Sequence, residues 1–284
     1  MEIVKTIAQV RELVKAARER GQEIGLVPTM GALHIGHISL IEKARSLTGF
    51  VVVSIFVNPT QFGPCEDFEK YPRPLDDDLE ICRKNGVDIV FVPAVSEMYR
   101  GENLTWVNVE RLTEVLCGRK RSGHFRGVIT VCAKLFNIVL PDIAVFGQKD
   151  AQQAIVIKRM VADLNMPLEI IVCPTVREAN GLAVSSRNKY LNERQKKDAA
   201  CLYKAIQKCR QDFDSGIKDS QTLIEQMKKI IQQVSSAEID YIEIVDAQNL
   251  QPLKTVDRRA LVALAVKIGP ARLIDNILLD TPEK

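Results

Sequence analysis

Val27-Pro28-Thr29-Met30-Gly31-Ala32-Leu33-His34-Ile35-Gly36-His37 is the stretch on which the reading of this chain turns. Before it runs Ile24 to Val27, a short apolar segment that reads as a parallel strand. After it, Ile38, Leu40, Ile41, Ala44 and Leu47 recur at helical spacing. The stretch is therefore expected to be a strand, a tight turn with two glycines, and a helix that begins near Gly36. Such a turn aims backbone N–H groups and the positive end of a helix at whatever lies beyond the strand, which suits a phosphate. His34 and His37 stand at the same place, three residues apart. Imidazoles there can donate to charge developing on a phosphorus. The bland alternative is that they only cap the helix.

Working outward, four more segments read as strands: Phe50–Phe56, Asp88–Val92, Asp142–Phe146 and Leu168–Val172. Helical patterns over Ile7–Ala17, Leu75–Lys84, Phe125–Val139 and Ala151–Leu164 separate or precede them. Strands alternating with helices predict a Rossmann-like α/β fold, a doubly wound parallel sheet. Thr105–Val109 is a further possible edge strand. Pro174 to Asn188 reads as a hinge or linker, and the pattern then changes. Two helices, Glu193–Phe213 and Ser220–Val234, precede three strand-like segments at Glu238–Val245, Ala260–Val266 and Ala271–Leu279. The expected organisation is a Rossmann-like domain over 1–175 and a smaller α+β domain over 176–284. Ligands of doubly wound sheets sit beyond the carboxyl ends of the strands, where the strand order switches.

Composition narrows the class. The net charge is +3, from 39 basic and 36 acidic side chains that are interleaved, which gives no footprint for nucleic acid. The longest apolar runs fall far short of the ~20 residues that cross a bilayer. Glu2 and Lys5 interrupt the N-terminus where a signal peptide needs an apolar core. The seven cysteines (Cys65, Cys82, Cys117, Cys132, Cys173, Cys201 and Cys209) are odd in number, scattered and without a Cys-x-x-Cys pair. That fits reduced thiols in a cytoplasm. All three histidines, His34, His37 and His124, lie in glycine-flanked stretches rather than in apolar runs.

Five other segments can carry chemistry. Gly147-Gln148-Lys149-Asp150 follows a strand and opens a helix that also carries Gln153. A lysine there can neutralise phosphate, Asp150 can accept from ribose hydroxyls, and Gln153 can hold a second substrate; a solvated first turn is the alternative. Val184-Ser185-Ser186-Arg187 offers two hydroxyls and a guanidinium to a triphosphate, or else an N-cap and a surface arginine. Asn58-Pro59-Thr60-Gln61-Phe62 offers uncharged amides, which suit a small polar organic substrate, or is only a turn. His124 begins a helix beside Arg126. Asp76-Asp77-Asp78 either complements a helix dipole or holds Mg²⁺, with Asp77 and Asp78 as candidate ligands.

His34-Ile35-Gly36-His37 spells the HIGH signature, and the stretch resembles that superfamily of nucleotide-activating enzymes. Beyond it come Asn58-Pro59-x-Gln61-Phe62-Gly63, Glu66-Asp67-Phe68-x-x-Tyr71-Pro72-Arg73 and Gly123-His124-Phe125-Arg126-Gly127-Val128. Then follow Phe146-Gly147-x-Lys149-Asp150-x-Gln152-Gln153, Arg177-Glu178-x-x-Gly181-Leu182-Ala183-x-Ser185-Ser186-Arg187-Asn188 and Arg272-Leu273-Ile274-Asp275-Asn276. In this order and spacing the chain resembles the pantothenate synthetase (pantoate–β-alanine ligase) family nearly end to end. The resemblance implies condensation of (R)-pantoate with β-alanine, with ATP cleaved to AMP and pyrophosphate through a pantoyl adenylate. It implies that Met30, Gly31, Ala32, Leu33, His34, Ile35, Gly36 and His37 bind ATP, with His37 the usual proton donor. Gly147, Gln148, Lys149 and Asp150 also bind ATP, Val176 touches the adenine side, and Val184, Ser185, Ser186 and Arg187 clamp the triphosphate as the second domain closes. Gln61 and Gln153 hold pantoate, and Asn58 and His124 are counted with the substrate-binding residues. Position 184 is more often leucine or methionine in the family. Mg²⁺ as cofactor and a homodimer are implied as well. A nucleotidyltransferase of the same superfamily, or a non-catalytic nucleotide- or RNA-binding protein, are the rival readings.

Overall fold

The computed structural model describes residues 1–64 and 66–281; Cys65 and the last three residues of the span 176–284 lie outside the described residues. The chain forms two compact units. The first comprises Met1–Glu114, Gly118–Gln148 and Gln152–Pro174, and the second comprises Val115–Cys117, Lys149–Ala151 and Thr175–Lys284.

In chain order the elements up to residue 173 are β1 (Glu2–Val4), α1 (Ile7–Glu19), β2 (Ile24–Thr29), α2 (Ile35–Leu47), β3 (Phe50–Ile55), α3 (Leu75–Lys84) and β4 (Ile89–Phe91). There follow two single-turn helices, α4 (Val95–Met98) and α5 (Cys117–Lys120), then α6 (His124–Val139), β5 (Ile143–Gly147), α7 (Ala151–Asp163) and β6 (Glu169–Cys173). The six strands form one sheet in the order β1-β4-β3-β2-β5-β6, with every neighbouring pair parallel. β3 is buried at all six positions, as a parallel strand covered on both faces must be. Its Val51 and Val53 pack with Val27 of β2 and with Leu40, Ile41 and Ala44 of α2.

From β2 the chain proceeds through β3 to β4 on one side, then places β5 and β6 on the other. The order therefore switches between β2 and β5. The turn after Thr29 and the turn after Gly147 leave from the two strands that flank the switch, where open α/β sheets take their ligands.

Two expectations are corrected. The sheet has six strands rather than five: Glu2-Ile3-Val4 pairs with Ile89-Val90-Phe91 as an edge strand too short to leave a periodic signal. Thr105–Val109 is not a strand. Its alternating pattern is strand-like, but the Val107 N–H donates to Thr130 Oγ1 on α6 at 3.1 Å instead of joining a ladder.

The second unit holds α8 (Glu193–Asp214), α9 (Ser220–Gln232) and an antiparallel sheet of β7 (Ala237–Asp246), β8 (Ala260–Ile268) and β9 (Ala271–Leu279), in that order. Val262, Leu264 and Val266 of β8 share a core with Leu202, Ile206 and Cys209 of α8 and with Leu223, Met227 and Ile231 of α9. The segment that reads as a linker is built structure. Arg177 and Ala183 form an antiparallel bridge, the Val184 N–H donates to Val176 O at 3.0 Å, and Ser186–Tyr190 makes a 3-10 turn. Six cysteines are described; all are buried and none is in a disulfide. Among the described residues, no helix is long and apolar enough to cross a membrane.

Candidate active site

The turn after β2 is held from beneath by a carboxylate. Gly31 and Ala32 both take left-handed backbone, with φ of 81° and 51°. For alanine that conformation costs roughly 1–2 kcal/mol. Asp78, in the first turn of α3 and 1% exposed, offsets the cost. The Ala32 N–H donates to its Oδ2 at 2.9 Å and the Leu33 N–H to its Oδ1 at 2.7 Å. A β-carbon on Gly31 would lie 2.9 Å from Asp78 Oδ2 and 3.0 Å from Ile55 Cγ2. The position takes glycine on both counts.

Most of the N–H groups expected to await a ligand are thus engaged. Gly31 N–H donates to Thr29 Oγ1. His34 N–H donates to His37 Nδ1 and Gly36 N–H to His34 Nδ1, each at 3.2 Å. His37 and Ile38 N–H groups return to His34 O. From Gly31 to Ile38 the Ile35 N–H is the one without a partner among the described residues. What the turn presents instead is its imidazoles.

His34 is the N-cap of α2 and His37 lies three residues on, so each ring accepts a hydrogen bond from the other end of the cap. A backbone N–H can only donate, so Nδ1 is the acceptor in both rings. A neutral imidazole then carries its proton on Nε2. The capping interaction thereby fixes two Nε2–H donors, with ring centroids 4.1 Å apart. Capping and function, posed as alternatives by the sequence, are one arrangement. Gly36 makes room for it, since a β-carbon there would lie 2.9 Å from His34 Cε1.

Asn58 and Gln61 flank a single 3-10 turn, Pro59–Gln61, beyond β3. The sequence counts Asn58 among the substrate-binding residues, and the structure assigns its groups elsewhere. It is 1% exposed. Its amide nitrogen donates to Gln61 Oε1 (3.1 Å) and Gly127 O (3.2 Å), while Oδ1 accepts from Thr60 Oγ1 and the Tyr99 hydroxyl, each at 2.9 Å. Asn58 orients Gln61, whose Nε2 donates to Met30 Sδ at 2.9 Å and so ties this loop to the turn after β2.

His124, also expected at substrate, starts α6 and faces the same loop: its Nδ1 lies 2.7 Å from Gln61 O and its Nε2 2.9 Å from Arg121 Nη1. Arg121 is held by Glu66 through Nε–Oε1 (2.7 Å) and Nη2–Oε2 (2.5 Å). Burial pushes the Glu66 carboxyl up, but hydrogen bonding and charge from Arg121 outweigh it and leave the group below its usual value.

Gly147 ends β5, and Gln148–Asp150 forms a 3-10 turn before α7, whose first turn carries Gln153. In the second unit, Lys149 Nζ lies 3.7 Å from Asp150 Oδ2. Asn276 Nδ2 donates to Lys149 O at 2.9 Å and fixes that backbone. The Asn276 N–H in turn donates to Asp275, which takes both ends of the Arg177 guanidinium at 2.6 and 2.9 Å. Arg177 also donates to Gly181 O and lies over the Tyr203 ring. It thus braces the hairpin that leads from Val176 to Val184 and into Ser185-Ser186-Arg187. Ser185 caps the turn that follows, accepting from the Arg187 N–H at 3.3 Å.

The metal candidates are Asp77 and Asp78. Asp78 has both oxygens on backbone N–H groups, Asp77 is exposed, and no group of three His, Cys, Asp or Glu side chains among the described residues is placed to hold an ion. The bracing contacts of Asp78, of Glu66 with Arg121, and of Arg177 with Asp275 and Asn276 are the parts that sequence reasoning misses. A signal for Asp78 exists: Leu75, Asp78, Leu79 and Cys82 share helical spacing, so an acid sits on the apolar face of α3.

Comparison with known proteins shows the family. Residues 2–278 match the model of the family described as pantoate-beta-alanine ligase. The chain is 56% identical over 280 residues to a pantothenate synthetase of Moorella thermoacetica, covering 99% of each chain. Its structure is similar to the crystal structure of pantothenate synthetase from Thermus thermophilus, with a TM-score of 0.92, 44% identity, and coverage of 98% of this chain and 99% of that one. It is also similar to a pantoate-beta-alanine ligase of Francisella tularensis solved with beta-gamma ATP and beta-alanine, with a TM-score of 0.80, 39% identity and coverage of 98% and 97%.

Proposed function

This chain belongs to the pantoate–β-alanine ligase family, and from that premise we propose how its own residues carry the reaction. The enzyme joins pantoate to β-alanine with ATP cleaved to AMP and pyrophosphate. A carboxylate oxygen of pantoate attacks the α-phosphorus of ATP and pyrophosphate leaves. The amine of β-alanine then attacks the acyl carbon, the carbon–oxygen bond breaks, and AMP departs with the oxygen that pantoate supplied. No enzyme nucleophile is needed, so positioning and charge stabilisation account for the rate.

The observation that carries the reading is the fixed pair of Nε2–H donors on His34 and His37. They donate to phosphate oxygens as charge grows there, within an ATP-binding run from Met30 to His37. Lys149, with Gly147 and Gln148 beside it, supplies positive charge, and Asp150 accepts from the ribose. Val176 lies at the adenine, and Val184 contributes its backbone, already tied to Val176. Ser185, Ser186 and Arg187 bind the triphosphate. Gln61 and Gln153 hold pantoate. Mg²⁺ enters as the counter-ion that ATP itself carries. The reaction runs in the cytoplasm, in keeping with six buried cysteines outside any disulfide, and in a homodimer.

The test is pantothenate formation with all three substrates and with pantoate omitted as control. Product that requires pantoate, β-alanine and ATP together, with one AMP per pantothenate, supports the reading. Transfer of AMP onto a phosphorylated acceptor supports the nucleotidyltransferase rival instead.

A Gly36→Ala variant probes the histidine pair. The new methyl meets the His34 ring at 2.9 Å, so the ring must move and its Nε2–H with it. Displacement of one positioned group by about an ångström costs on the order of a hundredfold in rate. The backbone at Gly36 is helical, where alanine is better than glycine by roughly 0.5–1 kcal/mol. Activity should therefore fall while the urea midpoint holds or rises; a parallel loss of both would point to a folding defect.

A further inference from the structure

We propose that His124 is a positioning residue for the substrate-binding Gln61, locked as the Nδ1–H tautomer by the Arg121–Glu66 pair. The inference rests on the reading that Gln61 holds pantoate, but its structural half stands apart from that reading.

The tautomer follows from who can donate. A carbonyl oxygen only accepts, so the 2.7 Å contact with Gln61 O puts a proton on His124 Nδ1. A guanidinium only donates, so the 2.9 Å contact with Arg121 makes His124 Nε2 an acceptor. The two requirements agree on one neutral form and exclude the imidazolium, which has no acceptor to offer Arg121. Arg121 cannot swing away cheaply, because Glu66 binds it through two hydrogen bonds in a half-buried setting. The relay therefore runs Glu66 to Arg121 to His124 to the Gln61 carbonyl.

That carbonyl belongs to a turn that the start of α6 grips elsewhere too. Asn58 Nδ2 donates to Gly127 O. At Gly127 the helix comes so close that a β-carbon would lie 2.3 Å from Thr60 O. Gln61 thus has its main chain fixed by His124 and its amide fixed by Asn58 and Met30. Both ends of one residue are held, which is the arrangement a pre-organised binding group needs.

The tautomer also sets His124 apart from the other two histidines, which carry the proton on Nε2. With only three histidines in the chain, one long-range ¹H–¹⁵N correlation spectrum of the labelled, folded enzyme at neutral pH reads all of them. Two rings should show the Nε2–H pattern and one the Nδ1–H pattern, and the latter should vanish in His124→Asn. An Nε2–H or doubly protonated pattern for His124 would overturn the proposal.

Kinetics test the positioning. An asparagine amide nitrogen falls near the place of Nδ1, whereas that of glutamine falls near Nε2. His124→Asn should keep the KM for pantoate within a few-fold, and His124→Gln and Arg121→Gln should raise it roughly tenfold, about the worth of one hydrogen bond. The KM for ATP should stay put in all three. Equal effects of asparagine and glutamine, or a KM for ATP that rises in step, would contradict the role. A Gln61→Ala variant with unchanged KM for pantoate would remove the premise about Gln61, while the tautomer spectrum would still decide the relay by itself.

Discussion

Replacing Lys149 by alanine should lower pantoate-dependent pyrophosphate release by ~3 kcal/mol or more in transition-state free energy, by analogy with the loss of one oxyanion donor. Lys149 stands on a single 3-10 turn directly after β5. Asn276 holds its carbonyl, and Asp275 and Arg177 hold Asn276. The side chain has only a loose partner: Asp150 is 3.7 Å away and half exposed. Such a pair contributes ~0–1 kcal/mol to stability and opens at little cost when phosphate arrives. Truncation should therefore leave the urea unfolding midpoint nearly unchanged while the rate falls by a factor of hundreds. His37→Ala should behave comparably in rate. Near-wild-type pyrophosphate release from Lys149→Ala would remove the residue from the site.

Asp78→Ala should have a large effect of a different kind. The carboxylate is buried and each oxygen accepts a backbone N–H of the turn that carries the histidines. Removing it orphans two donors, at ~1–3 kcal/mol each. It also releases the left-handed backbone at Ala32 from the contact that offsets its strain. A loss of ~2–5 kcal/mol in urea unfolding is expected from those donors together, with most of the activity lost as well. Asp77→Ala, one residue away and exposed, should be close to neutral in both measurements. Raising Mg²⁺ should not restore Asp78→Ala. Restoration by metal would show that the carboxylate serves an ion after all.

These two residues mark what is legible in the sequence and what is not. The setting of Lys149 is visible because its signal is local: a strand, a turn and a helix start follow one another in the chain. The alternation of apolar segments likewise reveals the parallel sheet and the change of pattern after Pro174. The hold of Asp78 on the turn is not legible because its partners lie 45 and 46 positions away in the chain. An acid in a first helical turn suits the dipole, suits a cation and suits a distant loop equally well, and only the fold chooses. The bracing contacts of Asn58 and His124 are hidden in the same way. Amides and imidazoles beside a substrate look alike in sequence whether they touch it or brace the residue that does. The reciprocal cap of His34 and His37 is half legible, since a spacing of three is that of a capping box, but the resulting tautomers need the donors to be seen.

Attack of the pantoate carboxylate on the α-phosphorus of ATP is the step on which every role above depends. Pantoate carrying ¹⁸O in its carboxylate, turned over with ATP and β-alanine, tests it by mass spectrometry of the products. One labelled oxygen should appear in the phosphate of AMP and none in pyrophosphate. Label in pyrophosphate or inorganic phosphate, or AMP without label, would contradict that attack.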